Sequence, residues 1–325
     1  MSQNLRCRAL NGTVLNTLTP FPESFRGGVV TIGKFDGVHL GHTAILRRLL
    51  ARARQENVPA ICITFDPPPL GVLRPDVASP PLCTLQRKLE LIDARGVDAI
   101  VVIPTTRELL EMEADAFFRR IISETLAAGG IVEGETFTFG KGRGGNGETL
   151  RSLGNAAGMA VDIVPSVLVD NHVVSSSRLR SLIQDGRMEE ATRLMVRPYR
   201  LSGTVVHGAG RGRTLGFPTA NLAGIETLLP QPGIYAGQVM IGAVSRRAAV
   251  HIGTIPTFDV PRPVVEVHVI DFDGDLYGTT LHVDLTGIVR EIVKFDSPAA
   301  LVARMREDVR HIRTHEPGIL FPESL

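Results

Sequence analysis

Two histidines, His39 and His42, stand three residues apart, just after an apolar run, Val29-Val30-Thr31-Ile32, and at the head of a helical pattern. That layout suits nucleotidyl transfer. A strand would deliver the loop Gly33-Lys34-Phe35-Asp36-Gly37-Val38 to the edge of a parallel sheet, and the loop would open into a helix whose N-terminus attracts phosphate. Residues three apart in a first helical turn share a face. The two imidazoles can then grip a triphosphate and offset charge as pyrophosphate leaves. Gly41, between them, lets backbone approach the ligand closely.

A second set of residues with chemical potential runs from Gly208 to Asn221 through Gly210, Gly212, Arg213, Gly216 and Pro218. Its glycines do not fit Gly-x-Gly-x-x-Gly, which excludes a dinucleotide fingerprint, but a Gly/Arg loop can still wrap phosphates through backbone N–H groups. Thr219 and Asn221 face the same side of a strand, and their neutral oxygens suit magnesium; taken alone, Thr-x-Asn also reads as a turn. In Val264-Val265-Glu266-Val267-His268-Val269 the valines at odd numbers form an apolar face. Glu266 and His268 share the other face, which either meets water or carries a base for a substrate hydroxyl.

Two further segments read both ways. Ser175-Ser176-Ser177 precedes a helix with Leu179, Leu182 and Ile183 as its apolar face, so the serines fit an N-cap. Arg178 in the first turn opposes the helix dipole, which a bound anion would offset. Gly140-Lys141-Gly142-Arg143-Gly144-Gly145 is no Walker A loop, since Gly142 stands where Ser or Thr should follow the lysine. It reads as a flexible surface turn or as a loop closing over phosphate or flavin.

The elements that must position these residues change character along the chain. Helical spacing over Thr43–Glu56, 85–95 and 114–127 alternates with strands at Ala60–Phe65 and 98–104, which predicts a parallel sheet with helices on both faces and ligands at the carboxyl ends of its strands. From about Tyr199 the period shortens. Strands at Ile234–Ile241, 247–252, 264–271 and 278–285, with a tight turn at Asp273-Gly274, predict a small antiparallel barrel, followed by a helix over 297–313. The boundary is placed at Asp185-Gly186, giving domains 1–186 and 187–325, with a helical bridge over 187–195.

The length of 325 residues agrees with two domains, and 43% hydrophobic against 21% charged residues is the balance of a soluble globular enzyme. A formal net charge of +1, three tyrosines and no tryptophan argue against a nucleic-acid partner. Cys7, Cys62 and Cys83 form no Cys-x-x-Cys, which argues for a reducing compartment without a disulfide frame or zinc site. No secretory leader or membrane-length apolar run is evident, so a cytoplasmic location is expected and oligomeric state stays open.

In order and spacing, these residues resemble the bacterial bifunctional riboflavin kinase/FMN adenylyltransferase family, the prokaryotic FAD synthetases, from about Gly28 to Arg313. The resemblance is carried by Ile32-Gly33-Lys34-Phe35-Asp36-Gly37-Val38-His39-Leu40-Gly41-His42, by Phe139-Gly140-Lys141-Gly142-Arg143 and by Ser175-Ser176-Ser177-Arg178-Leu179-Arg180. Arg197-Pro198-Tyr199, the stretch from Gly212 to Asn221, Pro256-Thr257-Phe258, Asp275-Leu276-Tyr277-Gly278, Arg290 and Lys294-Phe295 continue it. It implies a Rossmann-like nucleotidylyltransferase domain followed by a riboflavin kinase-like barrel. In the barrel, riboflavin and ATP would give FMN and ADP, with Glu266 as base and Thr219 and Asn221 holding Mg2+. In the first domain, FMN and a second ATP would give FAD and pyrophosphate, with His39, His42 and Arg178 on the phosphates. The resemblance also assigns Gly33, Phe35, Asp36, Gly41, Ser176 and Ser177 to ATP in the first domain. It assigns Gly208, Gly210, Gly212, Arg213, Gly216 and Pro218 to ATP in the second, and Phe137 and Arg290 to flavin.

Some positions depart from the family's usual pattern. Lys34 stands where Asn is common, Pro68 where His is common, and Thr136 where Asp or Asn precedes Phe137. Ser177 replaces Thr, Val196 replaces Gly, and His251 and Ile255 replace Asn and Arg. Two alternatives follow from the residues: a kinase with an impaired adenylyltransferase, or a flavin- or nucleotide-binding sensor. Joint retention of Glu266, Thr219 and Asn221 speaks against the sensor, which needs no base.

Overall fold

The computed structural model describes residues 12–16, 21–208, 210–255 and 262–314. Cys7, Ala209 and Pro256-Thr257-Phe258, and the side chains of Arg211 and Ile255, lie outside what is described. Two compact units form. One holds the residues up to Ser79 together with Cys83–Ser175; the other holds Pro80–Leu82 and the chain from Ser176 onward.

The first unit is a six-stranded parallel sheet. Its strands are β1 (Thr13–Leu15), β2 (Val29–Ile32), β3 (Ala60–Asp66), β4 (Ala99–Pro104), β5 (Gly130–Gly134) and β6 (Ala160–Val164), in the order β1-β4-β3-β2-β5-β6. Every residue of β2 is buried, as expected of a central strand covered on both faces. Chain order reverses at β2, which pairs with β3 on one side and with β5 on the other. That makes the carboxyl end between β2 and β5 the topological switch point, where open α/β sheets take ligands. The helices are α1 (Leu40–Glu56), α2 (Pro69–Leu73), α3 (Leu85–Asp93), α4 (Arg107–Leu110), α5 (Ala114–Phe117) and α6 (Gly147–Ala156). The single helix expected over 114–127 instead widens after α5 into π-type hydrogen bonding over Phe118–Thr125. The wider turn lets two adjacent pairs, Phe117-Phe118 and Ile121-Ile122, all reach the core. A small hairpin, β7 (Leu168–Val169) with β8 (His172–Val173), precedes the second unit.

The second unit opens with α7 (Ser176–Gln184) and α8 (Met188–Met195). The compact units divide before α7. The reason is packing: Leu179, Leu182 and Ile183 are buried, α7 packs on α8, and α8 packs on the first and last strands of the barrel. That barrel is closed, in the order β10-β13-β12-β11-β14-β9. It consists of β9 (Tyr199–Val206), β10 (Ala220–Ala223), β11 (Gly233–Ile241), β12 (Val244–Ile255), β13 (Arg262–Val269) and β14 (Thr280–Arg290). A single turn, α9 (Arg211–Thr214), lies between β9 and β10, and α10 (Pro298–Thr314) follows. Alternate residues such as Val205, Tyr235, Val250, Val265, Val267 and Val283 fill the interior.

Asp273-Gly274 makes no tight hairpin. Closing the barrel sets β14 between β11 and β9, so β13 and β14 are not neighbours and their link must travel. The two-residue hairpin lies instead between Ile241 and Val244, which pair directly. Gly242, at φ +61°, takes its first position, the one a II′-type loop reserves for glycine.

Candidate active sites

In the first unit, β2 ends at Ile32 and the chain enters a loop with Phe35, Gly37 and Val38 all at positive φ. For Phe35 and Val38 that backbone is strained. Burial holds it: Phe35 and Val38 are almost wholly enclosed. The Gly37 amide donates to Cys83 Sγ at 3.4 Å, and Thr64 donates to the Lys34 carbonyl at 3.2 Å. Asp36 is half-buried in the same loop.

The loop delivers His39 to the N-cap of α1, one residue outside the helix rather than in its first turn. His39 Nδ1 accepts the His42 amide at 3.4 Å, and His42 Nδ1 accepts the His39 amide at 3.3 Å. The rings stack at 3.7 Å, with Phe35 tilted against His42 at 5.1 Å. Because each Nδ1 accepts an amide, the neutral rings carry their protons on Nε2. Gly41 packs closely under the stack, since a Cβ there would meet the His39 ring at 3.1 Å; one on Gly33 would meet the Phe35 ring at 3.0 Å.

A residue that sequence reasoning passed over sits at the same switch point. The β2–β5 ladder runs only through Val29↔Gly130 and Val30↔Ile131, so β5's backbone leaves the Ile32 amide behind. Glu133, buried in β5, supplies the missing acceptor: its Oε1 takes the Ile32 N–H at 2.6 Å. Burial pushes its carboxyl well above the usual carboxylate range, and the Ile32 amide opposes that shift. The Thr31 hydroxyl opposes it more weakly, from outside ordinary hydrogen-bond geometry. The available signal was an acid inside the apolar run Gly130-Ile131-Val132-Glu133. Cys62, on β3, is fully buried, and its thiol is pushed up by burial and then by Glu133.

The basic glycine loop is closed, not loose. Phe139 and Gly145 exchange backbone hydrogen bonds, the Lys141 amide reaches Met112 O at 2.7 Å, and Arg143 Nε donates to Thr138 Oγ1 at 3.0 Å. Half-buried Phe137 stacks on Phe139 at 5.5 Å.

In the second unit, Ser176, Ser177 and Arg178 form the first turn of α7, so they belong to a different compact unit from the histidine pair. The barrel brings its candidates into one row. Asn221 on β10 lies opposite Glu266 on β13, which lies opposite His251 on β12, all on the outer face. His251 Nδ1 and Glu266 Oε2 are 3.0 Å apart. Thr219 precedes β10 by one residue. Both proposed metal ligands press against glycines of the neighbouring loop: a Cβ on Gly208 would collide with the Asn221 amide, and one on Gly212 would lie 3.1 Å from Thr219 Oγ1. Gly210 and Gly216 adopt positive φ in that loop, and Arg213 is exposed. His268 donates Nδ1–H to the Pro218 carbonyl at 2.8 Å, pinning the end of the loop to β13. The donor set of hydroxyl, amide oxygen and nearby carboxylate, with the backbone of Gly208 and Gly212 close against it, fits a hard divalent cation. Arg290 is committed elsewhere. Its Nε and Nη2 bind buried Asp308 of α10 at 2.8–3.0 Å, and its Nη1 donates to the Glu291 carbonyl.

Residues 21–178 match the family model for FAD synthetase and residues 195–315 that for riboflavin kinase. The Escherichia coli K12 protein described as bifunctional riboflavin kinase/FMN adenylyltransferase is 33% identical over 295 residues, covering 90% of this chain and 94% of that one. The chain belongs to the bifunctional riboflavin kinase/FMN adenylyltransferase family. The Pseudomonas fluorescens member of this family is 35% identical over 289 residues, covering 89% and 93% of the two chains. A crystal structure described as a macrolide-efflux protein from Streptococcus pneumoniae shares the fold, with a TM-score of 0.85 and 30% identity over 94% of this chain and 99% of that one. Among the described residues of this family member, no helix is long and apolar enough to cross a membrane. Arg178 is the last residue of the stretch that matches FAD synthetase, although it packs with the barrel unit.

Proposed function

We propose that this chain is a cytoplasmic enzyme of flavin cofactor synthesis, making FMN from riboflavin in the barrel unit and FAD from FMN in the sheet unit, with ATP consumed at both. The observation that carries this reading is the row of Asn221, Glu266 and His251 beside a glycine cradle, in a unit separate from the histidine pair at the sheet's switch point. Each unit thus has its own nucleotide constellation.

In the kinase step, Glu266 takes the proton from the ribityl 5′-hydroxyl as its oxygen attacks the γ-phosphorus of ATP, and ADP leaves. Thr219 and Asn221 would hold Mg2+, which when bound supplies positive charge across the nucleotide phosphates. Gly208, Gly210, Gly212 and Gly216 let the loop backbone approach those phosphates, with Arg213 and Pro218 in the same loop. In the adenylyl step, an FMN phosphate oxygen attacks the α-phosphorus of ATP and pyrophosphate leaves; that oxygen is already ionised, so no base is needed. The Nε2–H groups of His39 and His42 stabilise the charge that develops on the phosphates. Gly33, Phe35, Asp36 and Gly41 shape the loop for ATP. Ser176, Ser177 and Arg178, and Phe137 and Arg290 for flavin, enter on the resemblance of their motifs alone.

The test is product analysis by liquid chromatography after incubation with Mg2+ and ATP, with riboflavin in one tube and FMN in another. FAD from both tubes is the expected result. FMN without FAD would refute the adenylyl assignment, and neither product from riboflavin would refute the kinase assignment.

A further inference from the structure

The barrel pairs Glu266 with a second titratable side chain. His251 and Glu266 are direct cross-strand partners, 3.0 Å apart from Nδ1 to Oε2. An ionised carboxylate can only accept, so the ring donates Nδ1–H and its tautomer is set. Gly253 lies beside the ring: a Cβ there would come within 2.8 Å of His251 Nε2, so a larger residue would make the ring shift.

The pair does little for stability. The side chains are 37% and 35% exposed, and exposed pairs contribute only about 0–1 kcal/mol. What it sets is direction. The terminal torsion of a glutamate is broad and weakly preferred, so a Glu266 held only by its own backbone would sweep its oxygens through a wide arc. With Oε2 engaged by His251 and Asn221 in register on the far side of β13, Oε1 is the oxygen left to receive a proton.

We propose that His251 is a positioning residue for phosphoryl transfer, fixing the carboxylate of Glu266 so that one oxygen faces the hydroxyl of the substrate. The inference rests on Glu266 being the base. It deepens that assignment by making the base one half of a pair, with the imidazole as its orienting member.

The experiment is steady-state kinase kinetics of the full chain with saturating Mg2+ and ATP and varied riboflavin, for His251→Ala, His251→Asn, Glu266→Gln and the double variant His251→Ala/Glu266→Gln. Misplacing a reacting group by about 1 Å costs about a hundredfold, so His251→Ala should lose roughly ten- to a hundredfold in kcat with KM for riboflavin little changed. Asn carries an N–H donor close to where the Nδ1–H of His sits, so His251→Asn should recover most of that loss. The double variant should be no slower than Glu266→Gln alone, because orienting an absent base gains nothing. Adenylylation of FMN by the same samples, together with the melting temperature, reports that each variant is folded. A folded His251→Ala with unchanged kcat, a loss confined to KM, or a His251→Asn as slow as His251→Ala would each overturn the inference. An inactive Glu266→Gln beside a fully active His251→Ala overturns the orienting role alone. A fully active Glu266→Gln overturns the base assignment and the orienting role with it.

Discussion

Replacing Glu133 by glutamine should make the protein more stable, and the gain should grow with pH. Glu133 is 3% exposed, and its folded-state carboxyl is held well above the ordinary value of 4.5 by burial. An acid with a raised pKa keeps its proton in the folded state where the unfolded chain has released it. Its contribution is therefore most favourable below the unfolded value and is lost as pH rises toward the folded one. Within that window the slope is that of one proton, about 1.4 kcal/mol per pH unit. At about 2–4 °C per kcal/mol for a domain of this size, that slope is about 3–6 °C per pH unit. Glutamine keeps an oxygen for the Ile32 N–H and removes the titration.

The assay is scanning calorimetry of wild type and Glu133→Gln at closely spaced pH values from 5 upward, with the difference in melting temperature plotted against pH. Titrations elsewhere cancel in that difference. A flat line would refute the reasoning, because it would mean that Glu133 exchanges its proton alike in both states. Glu133→Ala provides the contrast. It strands the buried Ile32 amide, which costs about 1–3 kcal/mol, and it should be destabilised at pH 5, where Glu133→Gln and wild type differ least.

Other outcomes follow from the two sites. His42→Ala should abolish conversion of FMN to FAD while sparing FMN formation, as chromatography of the products would report; equal loss of both activities would count against separate sites. Glu266→Gln should lose about a hundred- to ten-thousandfold in kinase turnover, the range for removing a general base, yet still bind ATP by calorimetric titration. Asn221→Ala should raise the Mg2+ concentration needed for half-maximal kinase rate, and an unchanged magnesium titration would argue against metal ligation.

How much of this was legible depended on how far each role reaches through the fold. The histidine pair is local: His39 and His42 cap one helix end and bind each other's amides, so spacing alone carries the geometry. Alternation likewise reveals that Glu266 and His268 share a face, but that Asn221 and His251 flank Glu266 is a matter of strand register, set by residues far along the chain. The turn at Asp273-Gly274 failed for the same reason, since local turn chemistry is silent about which strands neighbour each other once the barrel closes. That the barrel's compact unit takes in α7 was not legible, because Leu179, Leu182 and Ile183 describe an apolar helix face without naming the surface it covers. Glu133 is the extreme case. In sequence it is an acid at the end of an apolar strand, and such residues ordinarily face water at a strand terminus. Its role exists only because β2 and β5 stop pairing after Val30 and Ile131 and leave one buried amide unanswered. A switch point must part its strands to admit a ligand, and parted strands strand backbone donors. A buried acid at the carboxyl end of a central strand is therefore a signal worth seeking in other parallel sheets that open at such a point.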